Sequence, residues 1–184
     1  MGLLTYWMKD KRTSVFKDYM TGSVLDAGCG YADIYEKFKD KIDEYYGIES
    51  NDERVSLLKK RFPKARFYKR DLDNDVLKFN KRFDRIVSIA VIEHLFNQKH
   101  SFGELVKNLK PGGKILITTP TPFGNDIVHR VGSRVGLFSQ NAHDDHIIIY
   151  NKQRFEILAK EFGLQIEKYK KFQFGCNQLV VMKK

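Results

Sequence analysis

The sequence predicts a single α/β domain, residues 1–184, in which a doubly wound and mostly parallel sheet carries helices on both faces. Strand-like and helix-like hydrophobic patterns alternate along the chain, and a glycine-rich turn closes the first strand. The last two strand patterns are joined by a short link, which predicts an antiparallel edge. Hydrophobic residue types make up 42% of the chain, enough to build a packed core.

The first strand and helix lie on either side of the glycine-rich turn. Ser23–Leu25 is a short, largely apolar strand, and Gly28-Cys29-Gly30 ends it. Ile34 and Phe38 stand one turn apart, which predicts a helix. Glu44–Ile48 is the second strand, so the chain opens with a strand–helix–strand unit.

The second helix has start and stop signals. Ser50 or Asn51 can cap it, because a short polar side chain accepts hydrogen bonds from the first backbone amides of a helix. Pro63 ends it, since proline disfavours helical geometry in the residue before it. Ala65–Lys69 and Phe83–Ile89 are the third and fourth strands. The apolar face of this helix consists of Val55, Leu58 and Phe62.

The rest of the chain continues the alternation. A turn at Lys110–Gly113 precedes a strand at Lys114–Thr119, Asn151 caps a final helix, and Leu164–Tyr169 and Gln178–Met182 are the last strands. Two apolar helix faces are predicted in this part of the chain. They consist of Phe102, Leu105, Val106 and Leu109, and of Phe155, Leu158, Ala159 and Phe162.

Composition excludes several classes of protein. The longest apolar runs, around Ile86–Ile92 and Ile115–Ile117, are far shorter than the roughly 20 residues of a membrane span. Cys29 and Cys176 are too few for a disulfide framework or a four-thiolate zinc site. Residues 1–20 lack the long apolar region of a secretory signal and are predicted to be a short helical segment. We therefore expect a cytoplasmic protein.

The net charge of +10 is unevenly distributed. Residues 51–82 hold 11 Lys and Arg against 5 Asp and Glu, whereas residues 21–50 hold 3 against 7. A basic stretch attracts phosphates, but a solvated helix face explains it equally well. Nucleic acid stays open as a partner without being indicated, and the oligomeric state is unknown from sequence.

The strongest functional signal is the loop after the first strand. Asp26 stands two residues before the first glycine, and Asp33 takes the place of the third glycine of the dinucleotide fingerprint. A carboxylate there repels a pyrophosphate but suits a ligand with an ammonium group. The loop therefore predicts a zwitterionic nucleoside cofactor and disfavours an NAD-dependent dehydrogenase.

Two further acids follow predicted strands. Glu49 ends the second strand 21 residues after Gly28, close to the offset at which an acid accepts hydrogen bonds from ribose hydroxyls. Asp71 follows the third strand, where a carboxylate could accept a hydrogen bond from an adenine amine. The alternatives are an exposed strand-end carboxylate for Glu49 and a turn role for the Asp71–Asp75 cluster.

Four sequence blocks and two single acids stand in a distinctive order along the chain. They are Leu25-Asp26-Ala27-Gly28-Cys29-Gly30, Glu49, Asp71, Phe83-Asp84-Arg85-Ile86-Val87, Ile92-Glu93-His94-Leu95 and Leu109-Lys110-Pro111-Gly112-Gly113. Their order and spacing resemble those of the class I S-adenosylmethionine-dependent methyltransferases, especially the ubiquinone-biosynthesis methyltransferases. The resemblance implies a seven-stranded Rossmann-like sheet with an antiparallel last strand, S-adenosylmethionine as cofactor and S-adenosylhomocysteine as product. The implied cofactor contacts are Asp26, Ala27, Gly28, Gly30, Tyr31, Glu49, Ser50, Asp71, Leu72, Ser88 and Ala90, with Tyr19 as a second flanking tyrosine.

Transfer of a methyl group to a hydroxyl requires removal of a proton, and histidines are the residues that we expect to serve this step. His94 follows the fourth strand, and His143 and His146 lie in the segment 120–150, which is predicted to be an acceptor-site lid. We expect a small-molecule acceptor that is methylated at oxygen, with these three histidines as the catalytic candidates.

Two alternatives remain. Glu93-His94 together with Asp145-His146 resembles the metal-binding pattern of the methyltransferases that modify the ribose 2′-hydroxyl at small-RNA 3′ ends. Ala90 stands where that pattern has its first glutamate, so the favoured interpretation has no metal. The second alternative is a non-catalytic module that binds the cofactor and serves as a partner or regulator.

Overall fold

The computed structural model describes residues 10–125 and 146–184, which form one seven-stranded sheet flanked by helices. The strands are β1 Gly22–Ala27, β2 Ile42–Glu49, β3 Arg66–Lys69, β4 Phe83–Ile89, β5 Leu109–Pro120, β6 Gln165–Phe172 and β7 Asn177–Lys183. The helices are α1 Asp33–Phe38, α2 Asp52–Arg61, α3 Gln98–Lys107 and α4 Lys152–Glu161, with a 3-10 helix at Ile92–His94.

The sheet order is β3-β2-β1-β4-β5-β7-β6. The first five strands pair in parallel, and β7 lies antiparallel between β5 and β6. This arrangement confirms the predicted doubly wound sheet with an antiparallel edge. The winding reverses between β1 and β4, and ligands of such sheets bind beyond the carboxyl ends of the strands at that point.

Alternate strand residues face two separate cores. Leu25 packs with the core under α3 and α4, whereas its neighbour Val24 packs with the core under α1 and α2. Phe16 and Met20, from the segment before β1, are fully buried in the second core. The helices therefore cover both faces of the sheet, and residues 10–20 close one side of it.

The predicted helix caps are present with one refinement. The side chain of Asn51 accepts a hydrogen bond from the Arg54 amide at 2.8 Å, and that of Asn151 accepts one from the Arg154 amide at 2.9 Å. Asn51 rather than Ser50 is thus the cap of α2.

The structure corrects the segment after α3. The predicted turn Lys110–Gly113 lies within β5 as an irregularity, because Phe83 pairs with Leu109 and the next paired residues are Arg85 and Lys114. Leu109 was predicted on the helix face but is the first residue of β5. The Asn108 side chain ends the helix by donating to the carbonyls of Leu77 and Glu104, both at 2.9 Å.

Several predictions lie outside the described residues. They concern residues 1–9, His143 and most of the 120–150 lid. Within residues 10–125 and 146–184, no helix has the length and apolar character needed to cross a membrane.

Candidate active site

A cavity of about 200 Å³ opens beyond the carboxyl ends of β1 and β4. Its position is the one that the reversal of winding predicts. Three parts of the chain build it: the glycine loop after β1, the end of β4 and the segment before β1. Its lining residues are Arg12, Thr13, Asp26, Gly28, Cys29, Gly30, Asp33, Ile34, Ile89 and Ala90.

The loop after β1 requires glycine at its first turn. Gly28 has a φ of +76°, and a Cβ atom there would lie 2.5 Å from Val91 Cγ2. The amides of Gly28 and Cys29 both donate to the carbonyl of Ile48 at 2.9 Å, which fixes the loop to β2. The backbone thereby forms part of the cavity wall with no side chain in the way.

Glu49 ends β2 and connects three neighbouring groups. Its Oε2 accepts a hydrogen bond from the Gly30 amide at 3.1 Å, and its Oε1 accepts one from the Asn51 amide at 3.0 Å. The Arg54 guanidinium lies 3.1 Å from Oε1. The carboxylate is therefore held at the rim of the glycine loop, where the sequence predicts a ribose contact.

Asp26 is a buried carboxyl group on the cavity wall. Tyr45 Oη donates to Asp26 Oδ2 at 2.6 Å. Burial raises the pKa of Asp26 to about 7, the hydrogen bond from Tyr45 opposes this shift, and the charges of Asp33 and Glu49 add to it. Three acids thus make this end of the cavity electronegative, which favours an ammonium group on the ligand.

Arg12 is a cavity residue that the sequence analysis missed. Its Nε is buried and has no hydrogen-bond partner among the described residues. Burial lowers the pKa of Arg12, and the negative charge of Glu93 opposes this shift. An arginine in a helical segment has no distinctive local pattern, so only its packing against the cavity reveals it.

The 3-10 helix after β4 places two predicted histidines together. The Glu93 carbonyl accepts hydrogen bonds from the amides of Ile147 and Ile148 at 2.8 and 3.3 Å, which fixes the returning chain beside β4. The ring centroids of His94 and His146 are consequently 4.8 Å apart. Two of the three predicted catalytic histidines therefore meet, although 52 residues separate them in sequence.

Glu93 lies beside these rings and is fully buried. Neither carboxylate oxygen has a hydrogen-bond partner among residues 10–125 and 146–184. Burial raises the pKa of Glu93, while a nearby backbone amide, the charge of His94, the Thr119 hydroxyl and the charge of Arg12 lower it. One ligand atom from each of Glu93, His94 and His146 lies within 4.8 Å of the other two.

The predicted adenine contacts lie in the turn after β3. Asp71 is exposed, and its carboxylate accepts hydrogen bonds from the Asp73 amide at 2.9 Å and from Asn74 Nδ2 at 2.7 Å. These bonds match the turn role that the sequence left open. Leu72 is buried beneath the turn. The contact of either residue with adenine stays a prediction.

The remaining predicted contacts are more dispersed. Ala90 follows β4 with a φ of +53° and lines the cavity, and Ser88 is buried within β4. Tyr31 is half-exposed beneath the Arg54 guanidinium.

The prediction that Tyr19 flanks the cofactor is wrong. Tyr19 precedes β1 and lies near the ammonium groups of Lys114 and Lys168. Lys114 pairs with Arg85 toward the amino ends of the parallel strands β5 and β4. The predicted cofactor loop lies at the carboxyl ends of the parallel strands.

A doubly wound sheet with a glycine loop at its switch point and an acid ending β2 defines a nucleoside-cofactor-binding α/β domain. A family model described as a methyltransferase domain matches residues 5–169. The chain therefore belongs to the S-adenosylmethionine-dependent methyltransferase family, whose methyl donor is S-adenosylmethionine and whose product is S-adenosylhomocysteine.

Two curated relatives illustrate the likeness. A "probable S-adenosylmethionine-dependent methyltransferase" of Mycolicibacterium smegmatis is 30% identical over 97 residues, covering 53% of this chain and 37% of the relative. A ubiquinone biosynthesis O-methyltransferase of Rickettsia canadensis is 28% identical over 114 residues, covering 60% of this chain and 48% of the relative. The chain spans between 37% and 57% of the length of the curated relatives that it matches.

Solved structures share the fold at low sequence identity. The magnesium protoporphyrin IX methyltransferase of Synechocystis, with bound S-adenosylhomocysteine, has a TM-score of 0.71 at 13% identity, covering 97% of this chain and 82% of that chain. The N-methyltransferase NodS of Bradyrhizobium japonicum, also with S-adenosylhomocysteine, has a TM-score of 0.69 at 15% identity, covering 96% and 86%. These likenesses establish the fold alone, because the sequence identities are low.

Proposed function

We propose that this chain transfers the methyl group of S-adenosylmethionine to an oxygen atom of a small-molecule acceptor. The observation that carries the proposal is the meeting of His94 and His146 beside Glu93, which follows the cavity residue Ala90 by three residues. A hydroxyl is a weak nucleophile until a base removes its proton, whereas a neutral amine attacks without that help. Two imidazoles at this place therefore suit a hydroxyl acceptor.

The charges around the cavity support one orientation of the cofactor. The acids Asp26 and Asp33 attract the ammonium group of its methionine part, and Arg12 can donate to the carboxylate of the same part. Glu49 is placed to accept hydrogen bonds from the ribose hydroxyls. This orientation directs the sulfonium toward Ala90 and the histidines beyond it.

Methyl transfer from a sulfonium is an in-line displacement with a good leaving group. The protein chiefly has to align the acceptor oxygen with the methyl carbon and exclude water. His94 or His146 would take the acceptor proton as the new carbon–oxygen bond forms and the carbon–sulfur bond breaks. The similarity to the ubiquinone biosynthesis O-methyltransferase of Rickettsia canadensis agrees with an oxygen acceptor.

An acceptor screen with methyl-labelled S-adenosylmethionine tests the proposal. The panel contains phenols, catechols, sugars, primary amines and short RNA with a free 3′ ribose. We expect label on a hydroxyl compound, and transfer only to amines would contradict the proposal. Transfer to the RNA ribose would favour the RNA alternative, and binding without any transfer would favour the non-catalytic module.

Two histidine variants and one matched control refine the test. His94→Ala and His146→Ala should each lower kcat by about 10²-fold or more, with the affinity for S-adenosylmethionine unchanged. His100→Ala is the control, because His100 lies in α3 and contacts the Asp75 carbonyl at 3.2 Å. Full activity in both test variants would refute the role of the histidines.

A further inference from the structure

We propose that Glu93, His94 and His146 bind one divalent transition-metal ion at the edge of the cofactor cavity. Their ligand atoms lie within 4.8 Å of one another. An ion with bonds of about 2.1 Å holds adjacent ligands about 3 to 3.5 Å apart, so small side-chain rotations complete the site. The site is built from one carboxylate oxygen and two imidazole nitrogens.

The buried carboxylate of Glu93 is the observation that points to a cation. A carboxylate taken out of water is costly unless a charge or hydrogen bonds compensate it. Glu93 is fully buried, and neither of its oxygens makes a hydrogen bond of normal geometry among the described residues, although a backbone amide and the Thr119 hydroxyl lie near enough to lower its pKa. An ion bound to one of these oxygens would supply the missing partner.

The histidine side of the site is held in place by surrounding hydrogen bonds. Asn125 Oδ1 lies 3.0 Å from His146 Nδ1. With the carboxamide oxygen as the acceptor, Nδ1 carries the proton, and Nε2 is the nitrogen that would bind the ion. The two amides that donate to the Glu93 carbonyl fix the backbone of the same segment. Such outer partners are typical of histidines that bind metals.

A structural role with Arg12 is the competing explanation. The positive charge of Arg12 acts on Glu93, so the arginine could serve as its counterion. However, Arg12 Nε and both Glu93 oxygens lack hydrogen-bond partners in the part of the chain that the structure describes, so these atoms do not bond to one another. Arg12 and Glu93 therefore form no hydrogen-bonded pair there. The burial of the carboxylate is offset only by the charges of Arg12 and His94 and by the nearby backbone amide and Thr119 hydroxyl.

The ligand set selects the class of metal. Imidazole nitrogens with a carboxylate suit Zn²⁺, Mn²⁺, Fe²⁺ or Co²⁺, whereas Mg²⁺ and Ca²⁺ favour oxygen ligands. Three protein ligands leave positions open for an oxygen of the acceptor. A bound ion would lower the pKa of that hydroxyl and orient it, so that solvent water could take the proton while both imidazoles stay bound to the ion. In the metal-free protein, one of the imidazoles would be the base instead. This role rests on the proposed function, whereas the binding of the ion does not.

Titration of the untagged, chelator-treated protein with Co²⁺ tests the site. The visible absorption of Co²⁺ reports its ligands, and equilibrium dialysis gives the stoichiometry. We expect one Co²⁺ per chain, displaced by Zn²⁺, and binding weakened at least about tenfold in His146→Ala and Glu93→Gln. The control His100→Ala should bind as the wild type does. Asn125→Ala, which removes only the positioning contact, should weaken binding to a smaller extent.

The outcomes separate the two proposals. Substoichiometric Co²⁺ binding, or unchanged binding in His146→Ala, would overturn the metal site and leave Glu93 as the counterion of Arg12. S-adenosylmethionine binding is measured by calorimetry on the same samples, which shows whether the protein is intact. One Co²⁺ per chain with no methylated hydroxyl compound would support the metal site and count against the proposed transfer.

Discussion

Substitution of Glu49 by alanine removes a carboxylate that holds the glycine loop and, in our account, the ribose of the cofactor. The change leaves the Gly30 and Asn51 amides without an acceptor and breaks the contact with Arg54. These amides are partly buried, so the loss of each hydrogen bond costs about 1 kcal/mol of stability. The loss of the ion pair with Arg54 costs less, because the arginine is partly exposed to solvent. We expect the free energy of unfolding to fall by about 2 to 3 kcal/mol.

The same substitution should weaken cofactor binding. Hydrogen bonds from ribose hydroxyls to a carboxylate are charge-assisted and contribute about 1.5 to 3 kcal/mol, which corresponds to about 10- to 150-fold in Kd. Glu49→Gln keeps the shape of the side chain and one oxygen acceptor. It should therefore fall between the wild type and Glu49→Ala in both stability and affinity.

Urea unfolding measures the stability, and calorimetric titration with S-adenosylmethionine measures the affinity. Glu36→Ala is the control, because Glu36 lies on α1 in a surface ion pair with Arg61 and should change stability by less than about 0.5 kcal/mol. Unchanged stability in Glu49→Ala would refute the claim that Glu49 stabilises the glycine loop. Lost stability with wild-type affinity would refute the ribose assignment.

Three further substitutions test the cavity. The pKa of Asp26 rises from 3.8 to about 7 on folding, so the protein should lose up to about 4 kcal/mol of stability as the pH rises from 4 to 7. Asp26→Asn should abolish this part of the pH dependence, and urea unfolding across the same pH range measures it. Gly28→Ala should lower the free energy of unfolding by about 2 kcal/mol or more through the contact with Val91, against about 1 kcal/mol for Gly163→Ala, where φ is +66° but nothing obstructs a Cβ. Equal losses would contradict the close approach. Arg12→Gln should weaken S-adenosylmethionine binding about tenfold or more but leave methylthioadenosine, which lacks the carboxylate, unaffected; calorimetry with both ligands decides.

The sequence predicted the sheet because its signals are local. The central strands are short apolar runs, and the helices next to them have regular apolar faces. Val24 of β1 and Leu58 of α2, for example, are buried in the same core. The irregularity in β5 was missed because Pro111 and two glycines are typical of turns. Its pairing depends on Phe83 and Lys184, which lie far away in sequence.

The cofactor loop was predictable for the same reason, since Asp26 and both glycines lie within five residues and Glu49 follows at a fixed offset. Arg12 was not predictable, because its role depends on how Arg12 and Thr13 pack against the cavity. The meeting of His94 and His146 also depends on distant contacts, the backbone hydrogen bonds to Glu93. Local patterns carry no such information.

Calorimetric titration with S-adenosylmethionine, S-adenosylhomocysteine and NAD, side by side, tests the central claim most directly. The acids that face the cavity attract an ammonium group and repel a pyrophosphate. We expect one-to-one micromolar binding of the first two ligands and no binding of NAD. Absence of S-adenosylmethionine binding, or equal affinity for NAD, would contradict it.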